Sequence, residues 1–234
     1  MKGFTTFRGF FYALFGVFLF TWVSFVVYPW LELGHLSPII DDDNTTVTPW
    51  DSPGAAHAGE QVYAANGCVY CHTQQVRDPG SGEDLTRGWG TAASQDDPKD
   101  PKKNVTRRSY PRDYIWQGQA FLGNSREGAD LSNVAYRFPD AAGLYSYLYD
   151  PTVLNPHSSM PSYRFLFVTQ KISGQPSQDA LVLSKDVAPP AGYEIVPTAQ
   201  AKSLVAYLLS LKKGYHLKAD EAGLRYEPPA PTKS

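Results

Sequence analysis

The chain has 234 residues, 21 lysines and arginines against 23 aspartates and glutamates, and a formal charge of -2. No global basic field exists to recruit nucleic acid, and two cysteines are too few for a disulfide-dense secreted scaffold. Nineteen prolines, nineteen glycines and 14% aromatic residues point to modest helices joined by long ordered loops.

The first element is the uncharged run GFFYALFGVFLFTWVSFVVYPWL, Gly9 to Leu31. As a helix it spans about 34 Å, enough for a hydrocarbon core of about 30 Å. Lys2 and Arg8 precede it, and Glu32 and Asp41 to Asp43 follow. The positive-inside rule therefore predicts a cytoplasmic N-terminus and an extracytoplasmic remainder. Tyr28 and Trp30 fall where an interfacial aromatic belt belongs. A cleaved signal peptide is the alternative. Against it, the apolar run is longer than a signal's, and no small-residue cleavage site follows. The expected layout is a transmembrane anchor over 1–31, a polar linker over 32–52, a domain over 53–216 and a flexible tail over 217–234.

Within the domain, a helix is predicted from Pro53 to Gly67, capped by Ser52 with proline at its first position. PRDYIWQGQ and PDAAGLYSYLYDP read as short helices, and TAQAKSLVAYLLSLKKG as the clearest helix. In the last, Thr198 is the expected cap, and Ala201, Leu204, Val205, Leu208 and Leu211 recur at helical spacing. Lys212 and Lys213 suit its C-terminal dipole, and Gly214 is the expected stop. The stretches 73–110 and 162–197 read as irregular, and QDDPKDPKKN as a solvated loop.

The chemistry is concentrated in NGCVYCHTQQVR, Asn66 to Arg77, which holds both cysteines, Cys68 and Cys71, with His72 directly behind them. A redox dithiol would sit beside a strand in an α/β pattern, and strand signals are absent here. A structural zinc needs a fourth close ligand, while the other histidines (35, 57, 157 and 216) are scattered. A disulfide across three residues would close a very small ring and stabilise little. Covalent haem remains: C-x-x-C-H is the c-type attachment signature. Its two thiols add to the vinyl groups of one porphyrin edge, and the next residue brings an imidazole to the iron. Such attachment occurs outside the cytoplasm, in agreement with the topology. Besides the initiator, the only methionine is Met160, in HSSMPSY, a polar, proline-bearing loop. It is the expected sixth ligand, with His157 as competitor, and His/Met ligation makes an electron-transfer centre.

The chain thus resembles a class I cytochrome c domain, an all-α fold with long loops. Gly59 and Tyr63 facing Tyr207 and Leu208 resemble that family's helix crossing. GADLSNVAYR, Gly128 to Arg137, resembles its Gly-Pro-Asn/Asp-Leu segment with a following arginine. The resemblance implies that the Ala129 carbonyl accepts a hydrogen bond from His72 Nδ1 and that Arg137 pairs with a haem propionate. An ordinary surface arginine is the alternative, and alanine stands where the family has proline. TQQVR after the haem motif, Arg126, LYDP (148–151) and SSMPSYRFLF (158–167) together resemble the monohaem subunit II of cbb3-type cytochrome c oxidases. That resemblance implies one haem c and electron transfer within a respiratory terminal oxidase. It implies no catalytic site on this chain. The implied partners are the haem–copper catalytic subunit, other cytochrome c subunits of the complex and a soluble cytochrome donor, with no nucleic acid. The implied location is a bacterial inner membrane, crossed once, with the haem domain in the periplasm. Arg77 is left between a propionate, a partner and plain solvation. Alternative readings are the anchored cytochrome subunit of a nitric oxide reductase and a haem-based gas or redox sensor.

Overall fold

The computed structural model describes residues 6–40, 47–52, 54–92, 104–138, 140–153, 155–184, 187–215 and 217. Lys2, Asp41 to Asp43, Pro53, the charged loop around 96–103 and the tail from 218 lie outside the described residues. The contacts divide the chain into two units, 1–48 with 110–115 and 217–234, and 49–109 with 116–216.

In the first unit, α1 (Phe7–Trp22) runs through a π-helical turn (Val23–Val27) into α2 (Tyr28–Leu33). The continuous helix, Phe7–Leu33, has a mean hydropathy of 2.2 and none of its side chains buried. It is long and apolar enough to cross a membrane. Thr6 caps its start by accepting from the Gly9 N–H at 3.3 Å. Pro29 falls just after the widened turn; proline cannot donate to the ladder, so local rewinding is the expected response. A two-residue antiparallel ribbon, β1 (Ile39–Ile40) with β2 (Val47–Thr48), lies within the expected linker. A single 3₁₀ turn, Pro111–Tyr114, stands where PRDYIWQGQ predicts a longer helix. Its Asp113 carboxylate accepts from the Tyr110 N–H at 2.8 Å, and Arg112 donates to the Ser37 carbonyl.

The second unit is organised by two crossing helices, α3 (Gly54–Ala65) and α7 (Ala199–Ser210). Gly59 is the contact point: a Cβ there would run into the Ser203 backbone and the Tyr207 side chain. Tyr63 and Tyr207 pack beside it with ring centroids 5.4 Å apart. The core side of α7 buries Ala201, Leu204, Val205 and Leu208, the predicted stripe. Each fully buried leucine contributes roughly 1.5–3 kcal/mol. Thr198 caps α7 as expected, accepting from the Ala201 N–H at 3.3 Å. Between these helices lie α4 (Cys68–Cys71), α5 (Val134–Arg137) and α6 (Ala141–Tyr149), the last capped by Asp140.

The structure departs from the sequence reading in two further places. Helix α7 ends at Ser210, before the lysines. Lys213 is buried, with its N–H on Asn133 Oδ1 at 2.8 Å. Gly214 does not adopt a left-handed cap. It is small because a Cβ would strike Tyr136 and Ala92. The irregular stretches also hold strands, so the fold is helical with short β-ribbons: β3 (Thr91–Ala92) pairs with β4 (Val105–Thr106). A longer ribbon, β5 (Phe167–Lys171) with β6 (Tyr193–Pro197), places Thr169 opposite Ile195. The excursion between β5 and β6 folds back on the ribbon, with the Leu181 N–H on the Ile195 carbonyl at 2.9 Å. Glu194, buried on β6, accepts from the Ser177 N–H at 2.6 Å and Gln170 Nε2 at 2.8 Å.

Candidate functional site: a cavity facing two thiols, an imidazole and a thioether

Gly67 takes a left-handed conformation (φ 70°, ψ 18°) at the entry to α4. A single helical turn follows, closed by the His72 N–H on the Cys68 carbonyl at 2.9 Å. Cysteines three apart share a helix face, so Cys68 and Cys71 both border the same cavity. They are not bonded to each other. Burial pushes the Cys68 thiol up to about 11, partly offset by a hydrogen bond with Tyr163. A redox dithiol needs a depressed thiol pKa, and Cys68 moves the other way. Among the described residues no three His, Cys, Asp or Glu side chains converge as they would around a zinc ion.

His72 follows in extended conformation. Its Nδ1 lies 2.8 Å from the Ala129 carbonyl. A carbonyl only accepts, so Nδ1 carries the proton and Nε2 keeps its lone pair for a metal. Burial lowers the His72 pKa, with the Ala129 hydrogen bond opposing, so desolvation favours the neutral ring. Gly128 makes room for it: a Cβ there would overlap the imidazole. The Gly128 N–H returns to the Cys71 carbonyl at 2.9 Å, so residues 128–129 are strapped along the cysteine turn.

The five residues after His72 are all tied down. Thr73 Oγ1 donates to Asp130 Oδ2 at 2.6 Å, and the Gln75 N–H donates to the same oxygen at 2.8 Å. Gln74, 0% exposed, exchanges hydrogen bonds with the Tyr207 hydroxyl on α7 at 2.9 and 3.0 Å. Val76 is buried, with its N–H on Ser109 Oγ at 3.0 Å. Arg77 donates to Asp84 through its backbone N–H at 2.7 Å and its guanidinium at 3.2 Å. Arg126 also pairs with Asp84, donates to the Gln75 carbonyl and lies over the Trp89 ring. Burial alone would raise the Asp84 pKa, but hydrogen bonds from Arg126 and then Arg77 outweigh it and hold it at about 2. Arg77 therefore does not sit among solvent alone, and it is not among the cavity-lining residues.

The cavity holds about 720 Å³, within the size range of cofactor sites. Leu131, Val134, Leu144, Leu148, Leu204 and Leu208 supply apolar wall. Met160 lines it and packs half-buried against the core, while the exposed His157 also borders it. Arg137 lines it too, with Nη2 donating to the Asp130 carbonyl. So Cys68, Cys71, His72, Ala129, Met160 and Arg137 meet around one cavity. Thiols on one turn, a tautomer-fixed imidazole, a thioether and an apolar envelope fit an iron macrocycle.

Three site residues were missed in the sequence. Asp130, 0% exposed, is the hub of the strap, and Asp84, 1% exposed, anchors two arginines. An aspartate directly after Gly-Ala was visible; its partners Thr73 and Gln75, more than fifty residues away, were not. Tyr163, whose hydroxyl faces Cys68, also lines the cavity.

No curated protein matches the chain. A family model described as cytochrome C oxidase, mono-heme subunit/FixO, matches residues 41–207. That match covers the cysteine turn, the strap, the thioether loop and most of α7, and the chain belongs to this mono-heme subunit family of cytochrome c oxidase.

Proposed function

We propose that the chain is a membrane-anchored one-electron relay carrying a single haem c, fixed by thioethers from Cys68 and Cys71. The observation that carries this is the His72 Nδ1 to Ala129 hydrogen bond at 2.8 Å beside a cavity that Met160 also faces. Haem, when bound, supplies an iron that cycles between Fe(III) and Fe(II). The protein's residues do the rest. Cys68 and Cys71 form the covalent bonds, His72 offers Nε2, and Met160 offers its sulfur. With His72 and Met160 both holding the iron, no place on it would be left for a substrate. Arg137 provides a cation at the cavity for a propionate, and the leucine wall keeps water out, so charge moves with little reorganisation.

The cytochrome c-like domain is assigned to 53–216, with 1–31 as anchor, N-terminus cytoplasmic and the haem domain periplasmic in a bacterial inner membrane. Electrons pass from another cytochrome c subunit or a soluble cytochrome toward the haem–copper catalytic subunit. Membership of the oxidase family supports this destination over a nitric oxide reductase or a sensor. The test is a haem stain after denaturing electrophoresis, with Cys68→Ser and Cys71→Ser as controls, followed by affinity purification from membranes. Covalent stain lost only in the double variant, and co-purification of a multi-span haem–copper subunit, are expected. An unstained wild-type chain would overturn the reading.

A further inference from the structure

We propose that Asp130 is a positioning residue for His72, and that its buried carboxylate sets the reduction potential of the centre built on that histidine. The inference rests on the haem reading above and adds a residue to it. Alanine at 129 cannot lock its own φ as proline would, yet its carbonyl must stay aimed at His72 Nδ1. The next residue does the locking. Asp130 Oδ2 accepts from Thr73 Oγ1 and the Gln75 N–H, and Oδ1 accepts from the Ser132 N–H at 2.8 Å. Its carbonyl accepts from Arg137, and the Leu131 N–H returns to the Thr73 carbonyl at 2.8 Å. Thus both ends of the His72–Ala129 hydrogen bond, residue 73 on one side and residue 130 on the other, are held by one carboxylate.

Three donors on two oxygens, with none accepted back, is the pattern of an acceptor-only carboxylate. Its negative charge sits at 0% exposure, where solvent screens it little. Negative charge near a centre that gains an electron on reduction favours the oxidised form and so lowers the potential. Arg126 and Arg137 temper that charge: Arg126 Nη2 is 4.0 Å from Asp130 Oδ2, and Arg137 holds the carbonyl.

The experiment is a potentiometric titration of the full, haem-loaded chain in detergent, with covalent haem scored in parallel. Asp130→Asn removes the charge and keeps the shape, and its midpoint is expected above wild type. Thr73→Val keeps the charge and removes the donor that offsets it, so its midpoint is expected below wild type. Opposite signs separate a field at the site from a loosened fold, which would move both variants the same way. Asp130→Ala should also broaden the titration, and adding Ala129→Pro should sharpen it again while the midpoint stays high. Should Asp130→Ala fail to fold, the signs in Asp130→Asn and Thr73→Val decide. Equal midpoints in wild type and both single variants, with covalent haem intact, would overturn the Asp130 proposal alone. A wild-type chain without haem would overturn the haem reading beneath it.

Discussion

The two walls of the cavity are built differently. On the imidazole side, residues 73–77 are all tied down, Thr73 and Gln75 to Asp130 and the others to Tyr207, Ser109 and Asp84, and Gln74, Asp84 and Asp130 are almost wholly buried. On the thioether side, the loop carrying Met160 leaves α6 after Tyr149, with Asp150 and Pro151 still buried, and returns at Tyr163. It is closed at its ends, by the Tyr163 N–H on the Leu148 carbonyl and Arg164 on Asp150, at 2.8 and 2.7 Å. Within it, Asn155, His157 and Ser159 are exposed. The contrast follows from what each of the two proposed ligands needs. An imidazole must present one nitrogen with the other proton fixed, which demands a rigid second partner. A methionine has three rotatable bonds and needs only to be kept nearby.

The largest test of this asymmetry is Asp84→Ala, which leaves Arg77 and Arg126 without the carboxylate they share. A loss of about 3–5 kcal/mol is expected from denaturant midpoints, and a smaller one for Asp150→Ala, which pairs with a single, half-exposed arginine. Equal losses would erase the distinction between the walls. Acid should act through the same carboxylate. The Asp84 pKa falls from 3.8 to about 2 on folding. Its contribution is therefore fully present above about pH 4 and lost as pH falls through 2. It amounts to about 2 kcal/mol, and Asp84→Asn should flatten the stability profile in that window.

Much of this wall could be read from the sequence, and the parts that could not share a cause. The C-x-x-C-H turn and the α7 stripe are local patterns, visible without knowing the fold, and the Ala129 acceptor was implied by the resemblance of Gly128 to Arg137 to a family segment. Asp84, Asp130 and Gly128 act through residues brought close only by folding: Asp130 reaches Thr73, and Gly128 yields to His72. The β5–β6 ribbon escaped for a related reason. Its strands are five residues each, and a long excursion separates them, so no hairpin signature joins them. Gly214 read as a helix stop because glycine serves both caps and close packing, and only the neighbouring Tyr136 tells which.

Smaller effects sharpen the comparison. Gly128→Ala should cost about 1–3 kcal/mol by overpacking against His72 and reduce covalent haem on the purified chain. A variant with full haem and unchanged stability would show that the imidazole has slack. Met160→Ala should cost only about 1 kcal/mol, because its side chain is half-buried. It should nevertheless abolish the weak red absorption band of iron–thioether ligation while the covalent stain persists. Retention of that band would pass the ligand role to another group on the loop.

The π-helical turn at Val23–Val27 divides the apolar helix into two phases. Each residue of an α-helix advances about 100° around the axis, so one residue of extra winding rotates everything after it by about that angle. A stripe running straight from Phe7 to Trp22 is therefore out of phase with the side chains of Tyr28 to Leu33. Lipid or a neighbouring helix meets two facets on one rod, and rewinding the turn as α-helix without loss of a residue would bring them back into line.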